Sequence, residues 1–348
     1  KDRLEWDAVP RAGYEIHPIR ARGIVRRWSW RNLLLPFTLC RGWWQSRRLI
    51  RDFDPDVVVA TGGYVSGPVL LAARSENRPI LIQEQNAYPG LTNRIGARWA
   101  DHVHVAFEEA RAHFDADRIT VSGNPIRRDL VDVDRADARR RLGLPEHSRV
   151  VLVFGGSGGS RALNEAVLDW ADHLLEAEDR YVLWQTGKKY FDEMEERAPA
   201  HERLRLTAYL QEMKYAYGAA DLAVCRAGAI TCSELTATGT PSVLVPSPNV
   251  AADHQTINAR SLADREAAIL LEEGQLEVEG AELIGYLLGD ETRRNRMAQN
   301  ARAMARFDAA DRIAGDVLDL AGVPAEQREP GAGPGSTRST IHSEPTRS

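Results

Sequence analysis

The stretch AVCRAGAITCSELTATGTPSVLVP, residues 223–246, reads as an apolar strand, a turn almost without side chains, and a helix. The strand runs from Leu222 to Cys225, the turn is Arg226-Ala227-Gly228-Ala229, and the helix starts at Ile230-Thr231. So bare a turn lets a ligand approach the backbone. Thr231 and Ser233 are natural cap or first-turn residues, and N–H groups at a helix start favour an anion such as phosphate. Glu234 follows directly, and a carboxylate repels phosphate. A ligand with both a diphosphate and neighbouring hydroxyls reconciles the two, because a carboxylate accepts from two O–H donors.

The same strand–turn–helix grammar extends along the chain. VVVATGG (57–63), PILIQEQN (79–86), HVHVAF (102–107) and ITVSGNP (119–125) read as strands that end in loops, with helical patterns at 65–75 and 91–100 between them. A charged stretch up to about Pro145 reads as a linker. A second series follows with RVVLVFGG (149–156), YVLWQTG (181–187), LRLTAYL (204–210) and SVLVPSP (242–248). This alternation predicts an α/β chain of two Rossmann-like parallel-sheet domains. Asp56, Gly63 and Ser66 recur as Asp221, Gly228 and Thr231 at one offset, a weak internal echo that fits tandem domains. The expected division is 1–135, 146–305, a closing helix over 306–321, and a disordered tail over 322–348 rich in Gly, Pro, Ser and Thr.

Composition narrows the function. With 348 residues, 27% charged and 43% hydrophobic, the bulk is globular, and a net charge of −5 gives no reason to expect nucleic acid. Three cysteines (Cys40, Cys225, Cys232) without metal-ligand spacing indicate a reducing compartment and no structural disulfide. His102-x-His104 reads as alternation on a strand rather than a metal pair. Asp54-Pro55-Asp56 reads as a turn, so no metal is expected. No secretory signal is read, and no apolar run approaches the ~20 residues of a membrane span.

LVFGGSGGSRALN (152–164) is a second glycine turn before a helix, suited to cradling phosphate with backbone N–H groups. It lacks the Gly-Lys-Ser/Thr of a Walker loop, and Arg161 stands where a dinucleotide fingerprint needs Gly or Ala. A nucleotide diphosphate held mainly by backbone remains, with no further cofactor. His254, Gln255 and Asn258 open another helix; a surface cap accounts for any one of them, whereas several amide side chains around a glycine-lined cleft suit a sugar with many hydroxyls. The segment Glu15–Asp52 has no acidic residue between its ends, but nine arginines from Arg20 to Arg51 and four tryptophans, Trp28, Trp30, Trp43 and Trp44. Such a mixture fits an interfacial membrane patch, a nucleic-acid surface, or a solvated helix with one buried face.

ATGGYVSGP, QEQNAYPGLTNR, GNPIRRDL, FGGSGGSRALN, CRAGAITCSE and DHQTINA stand in the order and spacing of the MurG family, which the chain resembles from about Ala12 to about Leu320. The resemblance implies the GT-B fold, two domains facing a cleft, and transfer of N-acetylglucosamine from UDP-N-acetylglucosamine to an undecaprenyl-linked muramyl-pentapeptide. It assigns the ribose to Glu234, the diphosphate to Ala229, Ile230, Thr231, Cys232, Ser233 and Ser157, the uracil to the Leu210 backbone, and the sugar to Gln255. Asn86 and Arg127 would reach across from the N-terminal domain, and Gly62, Gly63 and Tyr64 would serve the acceptor pyrophosphate. The Arg/Trp segment then becomes a dock on the anionic cytoplasmic face of the inner membrane, as a peripheral protein.

Two departures from the family's pattern matter. Gly158-Gly159-Ser160 is smaller than the Gln-bearing family loop. The family also opens with a strand and a glycine-rich loop ending in His, and this sequence starts after that point, at Lys1 rather than Met. The expectation is a truncated first sheet that keeps UDP binding but transfers slowly, with no residue assignable as base. Another GT-B enzyme using UDP-N-acetylglucosamine, such as an epimerase, or a non-catalytic membrane-docked binding protein, are the alternatives.

Overall fold

The computed structural model describes residues 5–21, 35–115, 118–250 and 253–328. Strands β1 (Val58–Ala60), β2 (Ile80–Glu84), β3 (His102–Val105) and β4 (Ile119–Val121) lie in that order in a four-stranded parallel sheet. Strands β5 (Arg149–Phe154), β6 (Arg180–Gln185), β7 (Leu204–Thr207), β8 (Leu222–Cys225), β9 (Ser242–Leu244) and β10 (Ala268–Leu270) form a six-stranded parallel sheet. Its spatial order is β7-β6-β5-β8-β9-β10, so the chain winds outward from β5 and then resumes on its other side. This is the doubly wound Rossmann order, with its reversal between β5 and β8.

The strands read as unbroken apolar runs because helices cover both faces. Val150, Leu152 and Phe154 of β5 enter one core with Ala223 and Cys225 of β8. Val151 and Val153 enter the opposite core with Leu222, Val224 and the fully buried Trp170 and Trp184. The smaller sheet has a core of its own, built from Val58, Ala60, Ile80, Ile82, Val103 and Val105. The helix Leu35–Phe53 packs against the helix Ser66–Ser75 at Gly42, where a Cβ would stand 3.1 Å from the Pro68 ring.

Two expectations change. The charged stretch after Asp132 is no loose linker: it contains a helix, Arg135–Arg141, whose Ala138 joins the core. Arg139, 4% exposed, donates to Asp221 Oδ2 at 2.9 Å, so the charges that suggest a solvated linker are spent on docking it. The first part of the expected tail is ordered. Arg328 donates to the Val323 carbonyl at 2.8 Å around the turn Ala325–Gln327, and residues 329–348 lie outside the described residues. Of the arginine- and tryptophan-rich segment, residues 22–34, with Trp28 and Trp30, also lie outside them. Within the described part, Arg47 and Arg51 both pair with Glu76.

The glycine loop after β5 is packed without slack. Gly159 has φ +72°, and a Cβ there would stand 2.1 Å from the Thr186 carbonyl oxygen, whereas one at Gly158 would meet nothing within 4 Å. Gly159→Ala should therefore cost on the order of 3 kcal/mol in a denaturant melt, through strain and overpacking together. Gly158→Ala should stay within about 0.5 kcal/mol of the parent. Equal losses at the two positions would contradict this packing.

Candidate functional site

Because the chain leaves β5 and β8 in opposite directions, a crevice opens beyond their carboxyl ends. Both glycine turns empty into it. Behind the first begins the helix Arg161–Leu175, capped by Ser160, whose Oγ accepts from the Leu163 N–H at 3.4 Å. Behind the second begins the helix Ala229–Thr238, whose N-cap Gly228 supplies no side-chain bond. The first-turn N–H groups of Ala229, Ile230 and Thr231 therefore carry no side-chain cap, and a helix start in that state attracts an anion.

The expected donor residues gather around this point. Ser157 stands exposed at the tip of the first loop. Ile230 is 39% exposed, whereas Cys232 is fully buried and its thiol is pushed up to about 12 by that burial, so it offers backbone only. The Ser233 hydroxyl is taken: it donates to the Ala229 carbonyl at 3.1 Å and accepts from Asn124 Nδ2 at 3.0 Å. Glu234 lies one turn into the helix and accepts from the Tyr217 hydroxyl at 2.9 Å through Oε2. Burial lifts its carboxyl above the ordinary range, and the Tyr217 hydrogen bond and the Arg127 charge offset part of that rise. One of its oxygens is thus engaged before any ligand arrives, which residue spacing does not reveal.

Leu210 is placed beside the crevice, with its N–H donating to Gln185 Oε1 at 2.9 Å. The other end of that amide donates to the Gly156 carbonyl at 3.1 Å, so Gln185 links the Leu210 segment to the glycine loop. Gln255 opens the helix His254–Ala263 and accepts from the Ser247 N–H at 2.8 Å. Asn258, grouped with it as a sugar-facing amide, is fully buried and does not face a cleft. Its Oδ1 accepts from the Ala87 N–H at 2.8 Å, and its Nδ2 donates to the Ala227 carbonyl at 3.1 Å, which ties the two sheets together.

From the smaller sheet come the loops after β1, β2 and β4. Gly62 and Gly63 take φ +93° and +78°, and Tyr64 is 43% exposed. Asn86 follows β2; its Oδ1 accepts from Asn258 Nδ2 at 3.3 Å, and its N–H donates to Glu84 Oε1 at 2.9 Å. Arg127 follows β4 with an exposed side chain, 3.9 Å from Asp129.

Four residues that the motifs do not single out hold the site in shape. Glu84, 3% exposed, accepts from the N–H groups of Asn86 and Gly90 and from Asn93 Nδ2 at 2.8–3.0 Å, which fixes the Asn86 loop. Asn124, in the GNP turn after β4, accepts from Gln83 and donates across to Ser233. Arg226 joins Ser160 Oγ (3.0 Å), the Val245 and Pro246 carbonyls, and Glu273, so it clamps three loops at the rim. Tyr217 restrains Glu234. For two of them the available signal is positional: Glu84 ends the apolar strand β2, and Arg226 directly follows the apolar strand β8.

Residues 1–105 match the glycosyltransferase family 28 N-terminal domain, and 150–314 match the family 28 C-terminal domain. The UDP-N-acetylglucosamine--N-acetylmuramyl-(pentapeptide) pyrophosphoryl-undecaprenol N-acetylglucosamine transferase of Salinibacter ruber is 55% identical over 92% of this chain and 87% of its own. The protein of the same name from Acetivibrio thermocellus is 39% identical over 91% of this chain and 87% of its own. The crystal structure of Acinetobacter baumannii MurG superposes with a TM-score of 0.72 at 28% identity, covering 91% of this chain and 88% of that one. S. aureus MnaA with UDP, at 15% identity, 85% and 84% coverage and a TM-score of 0.64, shares the fold alone. Two parallel-sheet domains in the GT-B arrangement, with these matches over nine-tenths of the chain, place it: the chain belongs to the MurG family of glycosyltransferases.

Proposed function

We propose that this chain is an inverting hexosyltransferase that moves N-acetylglucosamine from UDP-N-acetylglucosamine to undecaprenyl-pyrophosphoryl-N-acetylmuramoyl-pentapeptide in peptidoglycan synthesis. The observation that carries the reading is the convergence of two helix starts with Glu234 on one crevice. In it, residues 146–305 hold the donor and residues 1–135 face the acceptor. The diphosphate lies on the N–H groups of Ala229–Ser233 and near Ser157, and Glu234 takes the ribose hydroxyls. The uracil meets the Leu210 backbone, for which the Leu210 N–H exchanges its bond to Gln185 or the carbonyl serves alone. Gln255 meets the sugar, Asn86 and Arg127 close from the other side, and Gly62-Gly63-Tyr64 takes the acceptor pyrophosphate. As the muramyl hydroxyl attacks the anomeric carbon, charge builds on the departing UDP, and fixed helix N-termini stabilise it without reorganisation.

The acceptor's lipid tail requires approach to a membrane, at the cytoplasmic face of the inner membrane. Among the described residues no helix is long and apolar enough to cross one. The helix Leu35–Phe53 instead presents Phe37 and Trp44 at 75% and 63% exposure beside exposed Arg41 and Arg48. The helix that starts at Leu91 exposes Leu91 and Ile95 beside Arg94. Apolar groups ringed by arginine suit an anionic lipid surface.

Glu234→Ala should weaken UDP binding by ~30- to 1,000-fold in titration calorimetry, the equivalent of ~2–4 kcal/mol for two hydrogen bonds to a charged acceptor. Unchanged affinity would remove Glu234 from the ribose site. The anion is the accepting form, and burial raises its pKa. Affinity for UDP-N-acetylglucosamine should therefore rise with pH through that raised value and level off above it, while Glu234→Gln is weaker and lacks this rise. An identical pH profile in the two proteins would count against the assignment.

For membrane docking, Phe37→Ser with Trp44→Ser should release the protein from anionic liposomes in sedimentation, with high salt weakening what remains. Transfer to a water-soluble acceptor analogue should persist in that variant. Undiminished liposome binding would place the dock elsewhere.

A further inference from the structure

The two faces of the smaller sheet differ in kind. Val103 and Val105 of β3 point into its apolar core, while His102 and His104, two residues apart, share the other face. Register places Gln83 and Thr120 on either side of His104 there. The helix Ala309–Leu320 lies over this face and brings Asp316 to it. Asp316 Oδ2 stands 2.9 Å from His104 Nε2 and 3.5 Å from His102 Nε2. The imidazoles stack with centroids 4.6 Å apart and planes within 12°.

An ordinary histidine–carboxylate contact leaves this arrangement unexplained. His104 is fully buried; its Nε2 meets the Asp316 carboxylate, and its Nδ1 has no partner among the described residues. A buried polar atom without a partner calls for an explanation, and a bound ion beside it is one. Among the described residues Asp316 makes no ion pair with Arg or Lys.

We propose that His102, His104 and Asp316 form a binding site for a divalent transition ion, zinc foremost, which staples the closing helix to β3. Ligand atoms ~2.0–2.1 Å from a tetrahedral zinc lie roughly 3.3 Å from one another. The two measured approaches bracket that value, and all three donor atoms lie within 4.8 Å. Two imidazoles and one carboxylate suit zinc and its transition-metal neighbours, not magnesium or calcium, which take oxygen. Three protein ligands leave one position for water; the Thr120 hydroxyl, hydrogen-bonded to His102 Nε2 at 2.9 Å without the ion, would give up that bond and turn to the water when the ion binds. Among the described residues of this helix only Ala309 is fully buried, Ile313, Val317 and Leu318 are half-buried, and the exposed pair Arg128–Asp311 is a second polar tie to the N-terminal half. An ion here would act on the joint between the halves, remote from the donor crevice.

The test uses the full chain, stripped with chelator and dialysed against Zn²⁺, with Co²⁺ as a spectroscopic reporter. The parent should take up one tight equivalent, show the visible absorption of tetrahedral Co²⁺, and melt at a higher temperature with zinc. His104→Gln and Asp316→Asn should each weaken that equivalent by more than the roughly 10–100-fold that loss of an outer-shell partner costs, and lose the thermal shift. Asp316 is one-third exposed, so its amide keeps the fold even if the His104 change does not, and retained UDP binding verifies this. Surface histidines bind parent and variant alike. A parent that binds zinc no better than Asp316→Asn, or a variant with the full equivalent, would overturn the proposal.

Discussion

Phe154 and Cys225 end their strands side by side because β5 and β8 pair in parallel, with Val151 opposite Leu222 and Phe154 opposite Cys225. Every contact proposed for the donor depends on that register. It brings two glycine turns to one level and aims two helix starts at one point, each equivalent to about half a positive charge. A one-residue slip would exchange the two faces of β8, sending Leu222 and Val224 to the side now filled by Ala223 and Cys225. The small residues on that side leave room for Tyr217, and so for the hydroxyl that holds Glu234.

Between the halves, buried amides work beside an apolar contact in which Ala87 and Phe107 share a core with Ala259 and Leu262. Asn124 and Asn258 are 2% and 0% exposed, and each spends its side chain on both sheets at once. Glu84 is a buried carboxylate satisfied by N–H donors without a cation, so the loop that meets Asn258 has one geometry. Such networks specify position more than they add stability, since each bond replaces one to water.

The sheets, their parallel sense and both glycine turns were legible, because uninterrupted apolar strands and bare turns have few other uses. The family blocks carried the chemistry further than the residues alone. What was illegible is reciprocity. That Glu234 already serves Tyr217, that the Leu210 N–H serves Gln185, and that Asn258 faces the other domain are facts about partners distant in sequence. The helix Arg135–Arg141 was hidden for the same reason: its arginines resemble a solvated linker until Asp221, some eighty residues on, is known to receive them. Asp316 lies still further from the histidines it meets.

Asn258 also sets the terms on which the cleft can widen. Its carbonyl is held by the Ala87 N–H of one half and its amino group by the Ala227 carbonyl of the other. Separating the halves here uncovers an N–H, a carbonyl and an amide, each of which water can take up one for one, together with the apolar contact of Ala87 and Phe107 with Ala259 and Leu262. The amide share of that movement is an exchange of solvent, nearly level in enthalpy where water can follow and steep where it cannot. A joint of this mixed kind makes the cost of widening the cleft depend on its small apolar share, since water can offset the rest.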